Sequence, residues 1–371
     1  MSHISTLKLQ DFRCYAQASL RDLSRGLIVL HGPNGAGKTN ILEALSLLSP
    51  GKGLRGAPPS EIQRHQGAMP WALFTQIETP YGPVEIGTGF DPATEKRTIR
   101  INSETAKTQT ALSEHVSCVW LTPQMDRLFL EAPAHRRKFL DRLIFAFDPA
   151  HAGRITRYDN AMRQRSRLLQ EGSPETGWIA GLEIQMAQTG IAISAARTAF
   201  LTRLQTACDS TPFQDLFPLA RLHAIGTIEE LLQQAPALEV EDLFQYQLAQ
   251  SRTRDALTGG ATTGPHKSDF GVHYAAKNMP AEHCSTGEQK ALLIGLVLAH
   301  SRLILTERGV PPLLLLDEIS AHLDAHRRTV LYDQLLALGG QVWLTGTDAL
   351  LFESLETRAQ FFHVQNNRIS E

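Results

Sequence analysis

The chain has 371 residues, enough for two domains or for one large domain with an insertion. Its 42% apolar and 20% charged residues are ordinary for a soluble globular protein, and the net charge of −2 points to no nucleic-acid partner. Its apolar runs are too short for a bilayer, and the N-terminus does not resemble a signal peptide, so we expect a cytoplasmic protein without membrane contact. The four cysteines (Cys14, Cys118, Cys208 and Cys284) show no C-x-x-C spacing, which predicts neither a zinc site nor a disulfide framework.

A glycine-rich turn follows two predicted strands. The segment 4–12 places Leu7 and Leu9 at a period of two, and a second apolar run covers 27–30. The turn has the pattern G-x-x-x-x-G-K-[ST] and leads into a helix-like stretch at 40–45. A strand, this turn and a helix in that order predict a phosphate-binding loop rather than a turn with a chance lysine.

The loop predicts a nucleoside triphosphate site. Its glycines can adopt positive φ, so that successive backbone N–H groups surround a phosphate at the helix N-terminus. We expect Lys38 to reach the β- and γ-phosphates and the Thr39 hydroxyl to hold Mg²⁺. The predicted nucleotide-binding residues here are Gly32, Pro33, Asn34, Gly35, Ala36, Gly37, Lys38, Thr39 and Asn40.

Short strands are predicted after a basic turn at 50–56. The runs 71–78, 83–90 and 96–101 are separated by proline and glycine and predict an antiparallel meander beside the nucleotide site. The run 116–121 predicts one more strand.

The pattern becomes helical after Pro123, at 134–170 and 178–208. Within the second stretch an apolar stripe is predicted for Leu182, Met186, Ile193 and Phe200.

Basic residues are concentrated between Arg136 and Arg167. Nine Lys and Arg oppose three Asp, which leaves a formal charge of +6. Such a run is either a solvated helix face or a phosphate-binding surface. The basic residues are Arg136, Arg137, Lys138, Arg142, Arg154, Arg157, Arg163, Arg165 and Arg167.

A second glycine turn, Ser285-Thr286-Gly287-Glu288-Gln289-Lys290, follows an expected exposed loop at 258–265 and precedes a predicted helix at 291–306. Ser285 and Glu288 have the spacing of a capping box. A helix N-terminus of this kind is also a potential anion site.

The apolar run 313–316 ends in Asp317 and Glu318 and is typical of a central parallel strand. We expect Asp317 to bind Mg²⁺ beside Thr39, and Glu318 to polarise the attacking water as a general base. The alternative is a buried strand followed by solvated acids, which the phosphate loop disfavours.

The order of these motifs resembles the SMC-like branch of ABC ATPases. In that family the second glycine turn contacts the γ-phosphate held by the other subunit, which implies this role for Ser285, Gly287 and Gln289. The segment 320–324 resembles the D-loop and ends in Asp324, which can also cap the next helix. Thr347 stands where such ATPases commonly keep a histidine switch. The intervening segment is too short and too often broken by proline for an SMC coiled-coil arm.

Finer matches resemble the RecF family of bacterial recombination mediators. The block 123–141 resembles P-E…G-x-P-x-x-R-R-x-F-L-D, with Gln124 and Glu131 departing from it. The segment 263–269 resembles T-x-G-P-H-[RK]-x-D, and 11–15 resembles D-F-R-N-Y, with cysteine in place of asparagine.

The resemblance implies an α/β fold in which residues 1–122 and 265–371 form an ABC/SMC-like ATPase lobe and 123–264 form an inserted, mostly helical lobe. It also implies binding of ATP and Mg²⁺, an ATP-dependent head-to-tail homodimer, binding of double-stranded DNA and single-strand/double-strand junctions, and slow ATP hydrolysis. The implied partners are RecR and RecO, with which RecF proteins load RecA at single-strand gaps. The expected location is the cytoplasm, at the nucleoid.

Several basic residues have two open interpretations. Arg55, Arg136 and Arg137 are expected to contact DNA phosphates, although ion pairs with Asp141 or Glu131 are an alternative for the last two. Arg13 either reaches the nucleotide or pairs with Asp11, and His266 and Lys267 either approach a ligand or order their loop. Two other functions remain open: a clamp that binds ATP without hydrolysing it, and the nucleotide-binding subunit of an ABC transporter.

Overall fold

The computed structural model describes residues 2–172, 175–210 and 217–371, except for the side chain of His322. The chain forms two compact units. The first unit combines Met1–Asp126 with Val297–Glu371, and the second is Arg127–Leu296.

Within the described ranges the strands are β1 (His3–Phe12), β2 (Tyr15–Leu20), β3 (Leu27–His31), β4 (Ala72–Thr79), β5 (Gly82–Asp91), β6 (Lys96–Ile101), β7 (Glu104–Thr105), β8 (Cys118–Leu121), β9 (Ala220–Ile225), β10 (Asp269–Tyr274), β11 (Met279–Pro280), β12 (Leu313–Leu316), β13 (Val342–Gly346), β14 (Ala359–Gln365) and β15 (Arg368–Ser370). The helices are α1 (Lys38–Ser46), α2 (Pro133–Phe145), α3 (Ala150–Gln170), α4 (Thr176–Asp209), α5 (Thr227–Leu232), α6 (Ala237–Gln250), α7 (Arg252–Thr258), α8 (Thr286–Arg308) and α9 (Ala325–Leu338). Short 3₁₀ turns occupy several of the loops.

A largely parallel sheet forms the first layer of the first unit, in the order β15-β14-β3-β13-β12-β8. All neighbours from β14 to β8 are parallel, and only β15 runs antiparallel. β12 and β13 are buried along their whole length, because strands covered on both faces must be apolar throughout. The carboxyl ends of β3, β12 and β13 meet at one edge, which is where ligands bind in open α/β sheets.

An antiparallel sheet of order β2-β1-β4-β5-β6-β7 forms the second layer of this unit. Its inner side chains, such as Leu7, Leu73 and Ile86, share one hydrophobic core with α1 and with one face of the parallel sheet. The predicted meander is confirmed. β2 had no sequence prediction, because only Tyr15 and Leu20 at its two ends are buried and the strand lacks apolar alternation.

Long helices dominate the second unit. α4 packs against α3 and α6, and the predicted stripe is confirmed, because Leu182, Met186, Ile193 and Phe200 are all buried. Facing side chains such as Tyr158 and Phe244 complete the core. β9 and β10 pair antiparallel beside the helices, and no strand was predicted at the position of β9.

Two arginines of this unit are buried with their full set of partners. Arg165 donates to Glu183 at 2.9 Å, to Asp255 at 2.8 Å and to a backbone carbonyl. Arg197 donates to both oxygens of Asp141 at 2.8 Å. Loss of one partner would leave an uncompensated buried charge, so these pairs fix how the helices pack.

The expected boundaries of the inserted lobe need correction at its C-terminal side. The second unit extends to Leu296 instead of 264, because β10 pairs along its length with β9 and therefore stays with the helices. The N-terminal boundary falls at Asp126 instead of 122.

The loop at 258–265 is less exposed than expected. Gly264 has φ +139°, and a Cβ at this position would lie 2.2 Å from the Tyr158 hydroxyl, so only glycine fits. His266 contacts the same hydroxyl at 2.7 Å and the Ala261 carbonyl at 2.9 Å. For His266 the structure thus supports the loop-ordering interpretation.

α8 corrects the expectation that no segment could span a membrane. Its 23 residues are long and apolar enough by length and composition, but 78% of its most apolar window is buried inside the protein. That burial is typical of a core helix.

Candidate functional site

The glycine-rich turn lies between β3 and α1, as its pattern predicts. Gly32 has φ +145° and Gly37 has φ +111°. A Cβ on Gly32 would lie 2.1 Å from the Val364 carbonyl oxygen, and one on Gly37 would lie 2.6 Å from the Tyr15 hydroxyl. Both positions therefore require glycine, because any side chain would clash there and the positive φ favours a residue without Cβ.

Lys38 opens α1 and is 4% exposed. Its ammonium donates to the carbonyls of Gly32 at 2.6 Å and Pro33 at 2.9 Å, so the side chain folds back over the loop. The pKa of Lys38 is lowered, because the effect of burial exceeds the opposing effect of the nearby carboxylates of Glu318 and Asp317. The cation is thus held among the loop residues and faces two acids.

Asp317 and Glu318 leave the carboxyl end of β12 at the same edge of the sheet. Both carboxylate oxygens of Asp317 lie 3.0 Å from the Thr39 hydroxyl. The structure thereby brings together the two residues for which the sequence predicts Mg²⁺ binding. Their oxygen donors fit Mg²⁺, which prefers hard oxygen ligands together with substrate phosphates.

Glu318 has a left-handed backbone with φ +50°. A non-glycine residue in this region is strained, and such residues cluster at functional sites. Its side chain is half-buried and forms no hydrogen bond to any other described residue. A carboxylate in this state is free to accept a proton from water, as the general-base prediction requires.

Thr345 is a site residue that the sequence interpretation missed. It is fully buried on β13, and its hydroxyl donates to Asp317 Oδ1 at 2.7 Å and accepts from the Glu318 N–H at 2.9 Å. The parallel register that pairs Leu316 with Leu344 puts Thr345 beside Asp317, and this register cannot be read from one sequence. Thr347, the predicted switch position, is exposed.

Arg13 and Arg55 share one buried acid next to the phosphate loop. Arg13 donates to Glu43 at 2.5 and 2.8 Å, and Arg55 donates to it at 3.1 Å. The alternative pairing of Arg13 with Asp11 is wrong. Asp11 instead accepts from Arg64 at 2.7 Å. Asp11, near the end of β1, and Arg13, in the turn that follows, both have positive φ, and their side chains take separate partners.

Asn40 donates its side-chain amide to the Cys14 thiol at 3.0 Å. Cys14 is the position where the RecF block has asparagine. Burial raises the pKa of this thiol, so it remains neutral.

The second glycine turn lies in the second unit and forms the predicted capping box at the start of α8. The Ser285 N–H and hydroxyl both donate to Glu288 at 2.9 Å. The ammonium of Lys277 and these donors lower the pKa of Glu288 to about 2. Gly287 is exposed with open space around it, and Gln289 is buried, donating to the Cys284 carbonyl at 2.9 Å.

Asp324 caps α9, as predicted, because its carboxylate accepts from the Arg327 N–H at 2.8 Å. Ser320, earlier in the same segment, is buried and accepts from the Tyr332 hydroxyl at 2.8 Å. The start of the D-loop-like segment is thus anchored in the core.

The two predicted DNA contacts of α2 have protein partners. Arg136 forms a bidentate pair with Asp269 at 2.8 and 2.6 Å, and Arg137 donates to the Ser268 carbonyl. An ion pair was the stated alternative for Arg136, but its carboxylate partner is Asp269 instead of Asp141 or Glu131. Asp141 pairs with Arg197, and Glu131 accepts from Arg136 through its backbone carbonyl at 2.6 Å. Several members of the basic run have carboxylate partners, including Arg136, Arg154, Arg165 and Arg167.

Comparison with known proteins places this geometry in a family. The family model "RecF/RecN/SMC N terminal domain" matches residues 3–370. The chain is 48% identical to the DNA replication and repair protein RecF of Mesorhizobium japonicum, over 99% of this chain and 97% of that protein. It is also 48% identical to the RecF protein of Rhizobium johnstonii, over 99% of this chain and 98% of that protein.

Solved structures show the same fold. A RecF–ATP structure from the RecFOR pathway has a TM-score of 0.86 at 20% identity, covering 100% of this chain and 97% of that one. An SMC head domain from Pyrococcus furiosus, bound to the C-terminal domain of ScpA, has a TM-score of 0.55 at 16% identity, with 100% and 96% covered. The chain therefore belongs to the RecF family of DNA replication and repair proteins, within the SMC-like branch of ABC ATPases.

Proposed function

We propose that the protein is an ATP-dependent DNA-binding switch of the RecF type, which dimerises on ATP and releases DNA after slow hydrolysis. The observation that carries this proposal is the Thr39–Asp317 contact, with the unpaired carboxylate of Glu318 beside it. A phosphate loop and an acidic pair at one sheet edge have the composition of an ATP-hydrolysing site. A RecF similar in fold to this chain has been solved with ATP, which agrees with this choice of nucleotide.

Three groups act within one subunit. The backbone N–H groups of the loop and Lys38 bind the phosphates, and Thr39 and Asp317 provide the oxygen ligands of Mg²⁺. When bound, Mg²⁺ neutralises charge that develops on the phosphate oxygens. Glu318 accepts the proton of the attacking water, and the Thr345 hydroxyl holds Asp317 and the Glu318 backbone in position.

The second glycine turn completes the site of a partner subunit. Ser285 and Gly287 are exposed at the N-terminus of α8, where a γ-phosphate of the other subunit is recognised by N–H groups and a hydroxyl. The Ser285 hydroxyl leaves Glu288 to make that contact. Gln289 supports the turn from within, and Asp324 acts in the D-loop across the dimer. Because γ-phosphate binds both subunits, ATP favours the closed dimer by differential affinity.

The DNA ligands are duplex DNA and single-strand/double-strand junctions. The protein binds them in the cytoplasm, at the nucleoid. There it acts with RecR- and RecO-type mediators to load recombinase at single-strand gaps. This proposal rests on the RecF relatives, one of which is described as a recombination mediator of the RecFOR pathway. The unpaired carboxylate of Glu318 favours a hydrolysing switch over a non-hydrolysing clamp.

The solution mass tests the dimer directly. We expect the protein mass from light scattering to correspond to a dimer when Mg-ATP and a gapped duplex are added together. With ADP in place of ATP, it should correspond to a monomer. Replacing Ser285 by alanine should weaken the ATP-dependent dimer without changing nucleotide affinity of the monomer, since Ser285 acts on the partner's nucleotide. A monomer under every condition would contradict the composite site.

Thr345→Val tests the positioning of the acidic pair. Valine keeps the shape but removes the shorter of the two hydroxyl donors to Asp317 Oδ1 and leaves the Glu318 N–H without its acceptor, so we expect kcat to fall roughly 10- to 100-fold. The Mg²⁺ concentration for half-maximal activity should rise as well, and Thr345→Ser should restore both values. An unchanged Mg²⁺ dependence in Thr345→Val would show that the hydroxyl only supports the fold.

A further inference from the structure

The outer face of the antiparallel sheet carries a basic depression, which we call the sheet groove. It is lined by residues of β1, β2, β4, β5 and β6 and of the segments next to them, and three of these residues are exposed cations: Lys8, Arg100 and, directly after β2, Arg21. None of the described lining residues is acidic, although Asp and Glu outnumber Lys and Arg in the whole chain. A local excess of positive charge of this kind is an electrostatic footprint for phosphates.

The cations of the sheet groove differ from the arginines that the sequence analysis selected. Arg55 and Arg136 are ion-paired to Glu43 and Asp269. The side chains of Lys8, Arg21 and Arg100 form no ion pair or hydrogen bond within the described part of the chain. The Lys8 ammonium lies 5.4 Å from the centre of the Phe74 ring. These cations are therefore available for an external anion.

The strand register places the groups in a row across the sheet. Lys8 is paired with Phe74, Phe74 with Gly87, and Gly87 with Arg100. The row spans three strand spacings, about 14 Å, so its two terminal cations can contact phosphates well separated along a nucleic acid. The half-buried Phe74 ring lies between them, next to Gly87, where an added Cβ would meet nothing within 4 Å.

We propose that the sheet groove binds single-stranded DNA, with Lys8, Arg21 and Arg100 contacting phosphates and Phe74 stacking on a base. Cations around an aromatic ring on an open sheet face are the combination that binds single strands without sequence preference. Neighbouring Gln10, Gln17 and Thr98 provide further polar contacts on the same face. The inference deepens the proposed DNA-binding function, but it does not require ATP or dimerisation.

Fluorescence anisotropy with a labelled oligothymidylate of about 15 nucleotides tests it on the nucleotide-free full chain. Lys8→Ala/Arg100→Ala should weaken binding about tenfold at low salt and reduce the slope of log K against log salt by about 1.4, since each lost phosphate contact on a single strand removes about 0.7. Phe74→Leu should weaken binding about tenfold while keeping the slope, because stacking releases no counterions.

The double variant Arg25→Ala/Arg368→Ala is the matched control, since it removes two exposed arginines of the same unit that do not line the groove. It should bind like the unmodified chain, and thermal melting should show that all variants are folded. An unchanged salt slope in Lys8→Ala/Arg100→Ala, or a loss of duplex binding with single-strand binding intact, would overturn the inference. Because ATP is absent, either result leaves the proposed ATP-driven dimer to be judged by its own mass measurement.

Discussion

Replacing Glu318 by glutamine should reduce ATP turnover about 10²- to 10⁴-fold, the range expected for loss of a general base. Glutamine has nearly the same shape, but it cannot accept the proton of the attacking water. The Glu318 side chain forms no hydrogen bond to another described residue, so the substitution breaks no existing hydrogen bond of the carboxylate. Its backbone N–H still donates to Thr345, and the left-handed backbone is therefore retained.

The same variant should accumulate as an ATP-bound dimer on gapped DNA, because hydrolysis is the step that opens the dimer. Phosphate release, light scattering and retention of a labelled gapped duplex would measure the three effects. Glu353→Gln, at an exposed acid of the same unit, is the control and should behave like the unmodified chain. If Glu318→Gln turned over ATP at the normal rate, the general base would be another residue.

Much of the nucleotide site can be predicted from the sequence because its parts are local. The phosphate loop needs glycine at fixed positions, and Asp317 and Glu318 follow an apolar run whose burial on both faces identifies a central strand. The capping role of Ser285 and that of Asp324 depend on residues only three positions away. Patterns of this range are set by one strand or one turn of helix, so a single sequence contains them.

The parts that were missed depend on contacts between distant segments. Thr345 acts on Asp317 only because β13 lies beside β12 in the sheet. The charge of Arg136 suggested DNA, whereas its partner Asp269 is 133 residues away. Similarly, Lys8 and Arg100 belong to one surface only through the register of four strands. Charge along a sequence therefore says less about a ligand than charge that the fold leaves unpaired.

Replacing Lys38 by arginine should remove ATP-driven dimerisation and the ATP-driven increase in affinity for gapped DNA together. Lys38 is buried, and its ammonium lies within 2.6 Å of the Gly32 carbonyl, so the longer planar guanidinium does not fit the same position. Loss of a hydrogen bond to a charged phosphate costs about 1.5–3 kcal/mol, which corresponds to a fall in nucleotide affinity of roughly 10- to 100-fold.

Titration with a fluorescent ATP analogue would measure the affinity, and light scattering and gapped-duplex binding would follow the two coupled effects. Lys52→Arg, at an exposed lysine after α1, is the control, since it changes the same chemical group outside the loop. The coupling is the decisive point. If ATP closes the dimer by binding at the phosphate loop, loss of that site must remove both the ATP-driven dimerisation and the ATP-driven increase in DNA affinity. Gapped-duplex affinity that increases with ATP in Lys38→Arg as it does in the unmodified chain would rule out the phosphate loop as the origin of the switch.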